Sequence, residues 1–361
     1  MGAESKDAIH WTLPDFGVYQ HPRFPNGNII MADQPLVTHN FTPFIDSRPS
    51  VPPAERWKGL GGLAYQKQFE KFRNELGQGG LSAFGSPDGI RWRRLQPAPV
   101  IAEAWGMFDS QNVAFWSELE KKYVCYFRVF EAGRRSIARS TSADFRTWTE
   151  PVRMKPNAPG EELYTNGTQP YFRAPHIYIA LPTRFVAKRG AATDVALMSS
   201  RGGNSYDRTF MESLIRPGPG KDGWADRANY AAIGIHQTGP WEMSLFLTGS
   251  RRYVLRLDGF TSVNGPFAGG EMVTKPLTFS GSELEINYAT SAGGQVRVEL
   301  QGATGQALPG FSLEDCIPIF GDEVTRIVKW KGGSGLREYS GKPVRLRFEL
   351  FDADLYALKF N

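Results

Sequence analysis

The chain has 361 residues, of which 41% are hydrophobic, 22% charged and 13% aromatic, with a formal net charge of +5. That length fits two domains better than one, and the composition excludes a disordered chain. Basic residues run no longer than pairs such as Arg134-Arg135 and Arg251-Arg252. This excludes a nucleic-acid or heparin stripe, and no apolar stretch is long enough for a membrane-spanning helix.

In chain order, the first signal is the turn Ser5-Lys-Asp-Ala-Ile-His-Trp11. It returns as Ser86-Pro-Asp-Gly-Ile-Arg-Trp92, more loosely as Ser140 to Trp148, and weakly as Ser199 to Phe210. Arg256-Leu-Asp-Gly-Phe260 reads as a fifth copy without the leading serine. Asp bonds its own backbone in such a turn, a following Gly takes positive φ, and the Trp starts the next strand. Alternating strands precede the turns at Gly80–Phe84, Arg135–Arg139 and Asp194–Met198. In the clearest unit they follow Gln111–Trp116 and Lys122–Arg128. Cys125 in the latter reads as a buried free thiol, and the pair Cys125 and Cys316 offers neither a disulfide framework nor a zinc spacing.

Four short strands per unit, repeating every roughly 55 to 80 residues, is a propeller-blade pattern. Between the first two turns an insertion, Gln66 to Leu76, reads as a short helix or a long hairpin tip. The first turn has no strands ahead of it, so a first blade is incomplete or closed by other means. The expectation is an all-β chain: a five-bladed β-propeller over residues 1–265, its first blade incomplete, then a β-sandwich over 266–361. In the latter, Gln295–Leu300 and Pro343–Leu350 alternate apolar and polar residues, as half-buried antiparallel strands do. Glu283–Tyr288, Glu323–Trp330 and Asp354–Phe360 are its further strands.

Polar residues at the starts of inner strands point to the axial channel in such a fold. Asn40, Asp109, Glu162, Asn166 and Asn229 stand at those places, with Glu242 near the last, and Asp46 closes the strand that Asn40 opens. Hydrolysis of a glycosidic bond needs two carboxyl groups, one to protonate the leaving oxygen and one to attack or to activate water. Asp109, Glu162 and Asp46 are the candidates, with Glu161 a close rival to Glu162. Asp109 stands out because Met107-Phe108 and an apolar strand flank it. Arg173, His176 and Arg184 offer donors to a hydroxyl or an anion, and with Asn40, Asn166 and Glu242 they are the candidate substrate holders. No metalloprotease, nucleophile-elbow, phosphate-loop or dinucleotide motif is present. No cofactor is expected: a propeller axis can hold calcium, but no ligand spacing here calls for it.

The Ser-x-Asp-Gly-x-x-Trp turns, the Phe108-Asp-Ser-Gln-Asn112 strand start and the C-terminal sandwich together resemble the five-bladed propeller glycosidases. These are the invertases, levansucrases and arabinanases of glycoside hydrolase families 32, 43 and 68. Phe44-Ile-Asp-Ser-Arg-Pro49, Leu163-Tyr-Thr-Asn166, Arg173-Ala-Pro-His176, Arg252 to Phe260 and Leu308 to Ser312 resemble bacterial invertase-like proteins more closely. The resemblance implies a carbohydrate substrate. Its Asn-Asp-Pro, Arg-Asp-Pro and Glu-Cys catalytic segments are not found here in that form, so Asp109 and Glu162 match the middle and acid roles by position only. An inverting mechanism is therefore at least as well supported as a retaining one.

Three readings follow: a glycosidase, a carbohydrate phosphorylase with Arg173, His176 and Arg184 around phosphate, and a non-catalytic sugar-binding propeller. Neither nucleic acid nor membrane is an expected partner, and the sequence sets no oligomeric state. With an export signal removed the protein would be periplasmic or secreted; without one it would be cytoplasmic.

Overall fold

The structure, a computed structural model, describes residues 1–34, 36–64, 79–224 and 226–361, so the insertion at 66–76 lies outside the described residues. Those described form strands, turns and short 3-10 segments, with no α-helix among them. The chain divides into two compact units, Met1–His236 with Leu245–Tyr253, and Gln237–Ser244 with Val254–Asn361.

In the first unit, antiparallel sheets succeed one another along the chain. Thr42–Ile45, Trp57–Leu63, Gly80–Ser86 and Arg93–Arg94 pair in that order. Val113–Ser117, Lys122–Glu131, Arg134–Ser142 and Val152–Arg153 form the next sheet. The third is split: Gln169–Tyr171, Ala174–Ala180 and Met198–Ser200 make one part, and Glu162–Leu163, Thr183–Val186, Ala192–Ala196 and Ser213–Ile215 the other. Sheets built from sequence-adjacent strands are the blades of a β-propeller. The N-terminal residues form two-stranded pairs only, Glu4–Ser5 with Trp11–Thr12 and Tyr19–His21 with Phe24–Ile29.

The strand Lys122–Glu131 explains how the blades cohere. Successive side chains of a strand point to opposite faces. Tyr123, Cys125, Phe127 and Val129 enter a core shared with Leu60, Leu81, Phe108, Phe145 and Trp148. Val124 and Tyr126 enter another, shared with Phe115, Leu163, Tyr178 and Met198. Sheets above and below this strand leave no wet face, so it reads as a nearly continuous apolar run. Burial pushes the Cys125 thiol well above its ordinary pKa, and the thiol is free.

The recurrent turn has one hydrogen-bond plan. Ser86 Oγ donates to Asp88 Oδ1 at 3.0 Å, and Oδ1 accepts the backbone N–H groups of Ile90 and Arg91 at 2.9 and 2.8 Å. Ser5 and Asp7 repeat this with Ile9 and His10, both at 2.8 Å. The third copy starts at Ser142, two residues later than expected: Ser142 Oγ donates to Asp144 Oδ1 at 3.0 Å, and Arg146 and Thr147 N–H follow at 2.8 and 2.7 Å. Ser140 instead donates to the Thr149 carbonyl at 2.6 Å. All three copies place a left-handed residue after the Asp: Ala8 at φ 59°, Gly89 at φ 76° and Phe145 at φ 65°. The Ser199 copy lacks the plan, because Ser200 Oγ donates to the carbonyls of Gly202 and Ser205.

The second unit is a sandwich in which two strands run longer than expected, beside Val263–Gly265, Gly270–Val273 and Asp322–Ile327. Leu284–Gly302 and Val344–Phe360 each run without a break, merging pairs of segments read as separate strands. Pairing slips between Thr290 and Gln295, where the strands bend. Gly294 sits in the bend with no room for a side chain, since a Cβ there would lie 2.5 Å from the Asp352 carbonyl oxygen. Both halves of the bent pair turn their apolar positions into one core: Leu284, Ile286 and Tyr288 from one half, Val296, Val298 and Leu300 from the other, around Trp330.

Candidate functional site

The asparagines at the inner-strand starts brace the backbone. Asn40 Nδ2 donates to the carbonyls of Gly62, at 2.6 Å, and Phe108, while Asn40 Oδ1 accepts the Gly62 N–H at 3.0 Å. Asn166, 1% exposed, donates to the carbonyls of Tyr126 and Gln111 at 3.3 and 3.4 Å and accepts the Thr168 N–H at 3.0 Å. Asn112 and Asn229 are engaged in the same manner. The expectation that Asn40 and Asn166 hold substrate gives way to this, because their amides already have partners.

Asp46 is also withdrawn from solvent. Its side chain and that of Lys58 are both 0% exposed and lie 3.1 Å apart, and Tyr123 Oη donates to Asp46 Oδ2 at 2.6 Å. Lys58 further donates to the Glu55 carbonyl at 2.9 Å, and Arg146 reaches Glu55 Oε1 at 2.7 Å. Burial, then the bond to Asp46, raises the Tyr123 phenol well above its ordinary pKa. A sealed and fully paired carboxylate has no access to a glycosidic bond, so Asp46 belongs to the interior of its blade.

Asp109 and Glu162 have a different setting. Arg128 follows Tyr126 on the same face of its strand, interrupts its apolar run and bonds Asp109 Oδ1 through Nη2. Arg135 on the next strand bonds Glu162 Oε2 through Nη1 at 2.6 Å. Both guanidiniums lie on Tyr164, with Cζ 4.7 Å from its ring centre for Arg128 and 4.8 Å for Arg135. Phe185 adds a second ring 4.7 Å from Arg135, and Phe130 stands 5.7 and 5.4 Å from Arg128 and Arg135. Tyr230 meets Tyr164 edge-on at 5.3 Å. Burial, then the neighbouring Tyr164, raises the Tyr230 phenol above its ordinary pKa. Cations over aromatic faces are held electrostatically and more strongly where water is scarce. The two acids, 26% and 21% exposed, are thus held by arginines and keep part of their surface in solvent.

The loop that carries Asp109 is tied down from two sides. Gln111 donates to the Ala231 carbonyl at 3.2 Å and accepts the Gly167 N–H at 2.9 Å. Ser110 donates to the Tyr164 carbonyl at 3.4 Å. Beside the cluster an open cleft of about 540 Å³ is lined by Glu103, Trp105, Met107, Val129, Phe130 and Arg153. Arg153 donates to the Phe130 carbonyl at 2.8 Å.

The other expected holders lie elsewhere. Arg173 and His176 are exposed, on the hairpin turn and at the far end of Ala174–Ala180. The Ala180 end adjoins Gly167, so at about 3.3 Å per residue His176 and Arg173 stand roughly 13 and 23 Å along the chain from Ala180. Arg184 grips Asp194 with two bonds, at 2.9 and 2.6 Å, and donates to the Met211 carbonyl at 3.1 Å. Glu161, the rival of Glu162, is taken by both Nη groups of Arg208. Glu242 is in the second unit and accepts from Thr238 Oγ1 at 3.0 Å. Among the described residues no group of three or more His, Cys, Asp or Glu is placed to hold a metal ion.

Arg128, Arg135, Tyr164, Phe130 and Phe185 were not singled out by the sequence. The available signal was an arginine set within an otherwise apolar run, Tyr123-Val-Cys-Tyr-Phe-Arg-Val-Phe130. A charge there demands a partner.

No known protein family matches the sequence, and no curated protein matches it. Solved structures to which the chain is similar include a glycoside hydrolase, at 12% identity and a TM-score of 0.44 over 70% of this chain and 75% of that one. Another is an N-acetylgalactosamine deacetylase from F. plautii, at 11% identity and a TM-score of 0.42 over 96% and 79%. A third is an endo-arabinase from Bacteroides thetaiotaomicron, at 11% identity and a TM-score of 0.38 over 80% and 94%. A likeness this remote carries nothing about reaction or substrate.

Proposed function

We propose that the chain hydrolyses a glycosidic bond with Asp109 and Glu162. What supports this reading is that two partly exposed carboxylates, Asp109 on the loop before Val113–Ser117 and Glu162 on Glu162–Leu163, pair with arginines that share the Tyr164 ring. Asp109 takes the proton of the attacking water while Glu162 gives a proton to the leaving oxygen. Water adds to the anomeric carbon, the C–O bond to the leaving group breaks, and the two carboxyl groups exchange protonation states. For Glu162 to deliver its proton the Arg135 pair opens, and Arg135 stays seated between Tyr164 and Phe185.

The test is a screen of polysaccharides and nitrophenyl glycosides for released product, followed by two variants. Asp109→Asn is expected to slow turnover at least ~100-fold. Glu162→Gln is expected to slow substrates with poor leaving groups far more than dinitrophenyl glycosides, which depart without a proton. Undiminished activity of both variants overturns the assignment.

A further inference from the structure

Phe130 belongs to two places at once. Its ring stands against the Arg128 and Arg135 guanidiniums, 5.7 and 5.4 Å away, and it also lines the cleft. It is 37% exposed although large and apolar. Trp105, half-buried on a short 3-10 segment, lines the same cleft, with Arg153 and Glu103 as its charged members. An aromatic wall with a few polar groups at its margin is the chemistry of a sugar subsite: the apolar ring face stacks, and the hydroxyls find the charges. The cleft's volume of about 540 Å³ falls within the range of roughly 300–1,000 Å³ for clefts that hold drug-sized ligands, the size of a di- or trisaccharide.

We propose that this cleft binds further units of a saccharide chain, which crosses Phe130 from the Asp109–Glu162 cluster and stacks on Trp105. The proposal rests on the hydrolase reading and adds that the substrate is an oligo- or polysaccharide gripped over several residues, with Trp105 and Phe130 setting the preference for length. Arg153 holds the Phe130 carbonyl and so fixes the backbone of the shared wall.

Calorimetry on the full chain tests it with fragments of one to six units from arabinan, levan, xylan, mannan and galactan. In one series affinity is expected to rise at least ~10-fold from one unit to three, since each added ring meets a further aromatic face. Trp105→Ala and Phe130→Ala are each expected to cancel most of that gain, and Trp105→Phe to recover part of it, with thermal melting confirming that each variant is folded. If Trp105→Ala does not fold, Trp105→Phe and Phe130→Leu carry the comparison. Affinity independent of length, a gain that survives these substitutions, or no binding by any series overturns the proposal. Chain binding without turnover sinks the hydrolase reading alone, whereas turnover of nitrophenyl monosaccharides with no length preference sinks the subsite alone.

Discussion

Buried arginines and lysines decide which carboxylates of this chain are available. Asp46 and Asp109 look alike in sequence, each an acid beside Phe residues, yet one is shut in with Lys58 and the other shares a half-open shelf with Arg128. Removing one member of a buried pair strands the other, so Lys58→Met is expected to cost about 3–5 kcal/mol in denaturant unfolding. Asp109→Asn leaves Arg128, 4% exposed, with an amide in place of its carboxylate. A measurable drop in melting temperature is therefore expected together with loss of turnover. Asp109 draws notice in the sequence because a charge between apolar neighbours needs a partner, and Arg128 is that partner. Asp46 was misjudged because its lysine is twelve residues away and nothing local announces burial. The asparagines were misjudged because side-chain amides that satisfy backbone groups look, in sequence, like amides free to bind sugar.

Among elements, the Ser–Asp turn was the most readable, since its bonds are local and need no tertiary partner. Its third copy was misplaced by two residues because several serines and threonines precede Asp144, and only the bond from Ser142 distinguishes them. Ser142 Oγ also accepts the Phe145 N–H at 2.9 Å, so Ser142→Ala is expected to lower stability by about 1–2 kcal/mol in urea titration. Ala8 holds φ 59° without steric relief, and Ala8→Gly is expected to raise stability by about 0.5–1 kcal/mol. Phe145 tolerates the same backbone because its ring is fully buried and packs edge-on against Tyr123 at 5.1 Å and Trp148 at 5.5 Å. The sandwich strands were legible in their alternation but not in their continuity, because a bend at Gly293-Gly294 resembles a turn in sequence.

For the whole molecule, acid is the weak direction. Burial pushes the Asp88 carboxyl up, but the N–H groups of Arg91 and Ile90 and the Ser86 hydroxyl outweigh it and hold the pKa at about 2. Asp144, in the equivalent turn, and Glu55, beside Arg146, are lowered from their ordinary values as well, against burial. A depressed carboxylate contributes stability that is complete above its unfolded pKa of about 4 and is lost as the pH falls through the folded value. Melting temperature is therefore expected to hold near neutrality and to fall between about pH 4 and pH 2, and less steeply in Asp88→Asn. The alternation of Lys122–Glu131 between two cores has an evolutionary consequence. Residues 123–127 serve two neighbours simultaneously and can hardly be exchanged singly, whereas Phe130 emerges at the strand's end. Selection can remodel that exposed tip while leaving the two cores untouched, so close homologues should diverge at Phe130 before they diverge at Tyr126.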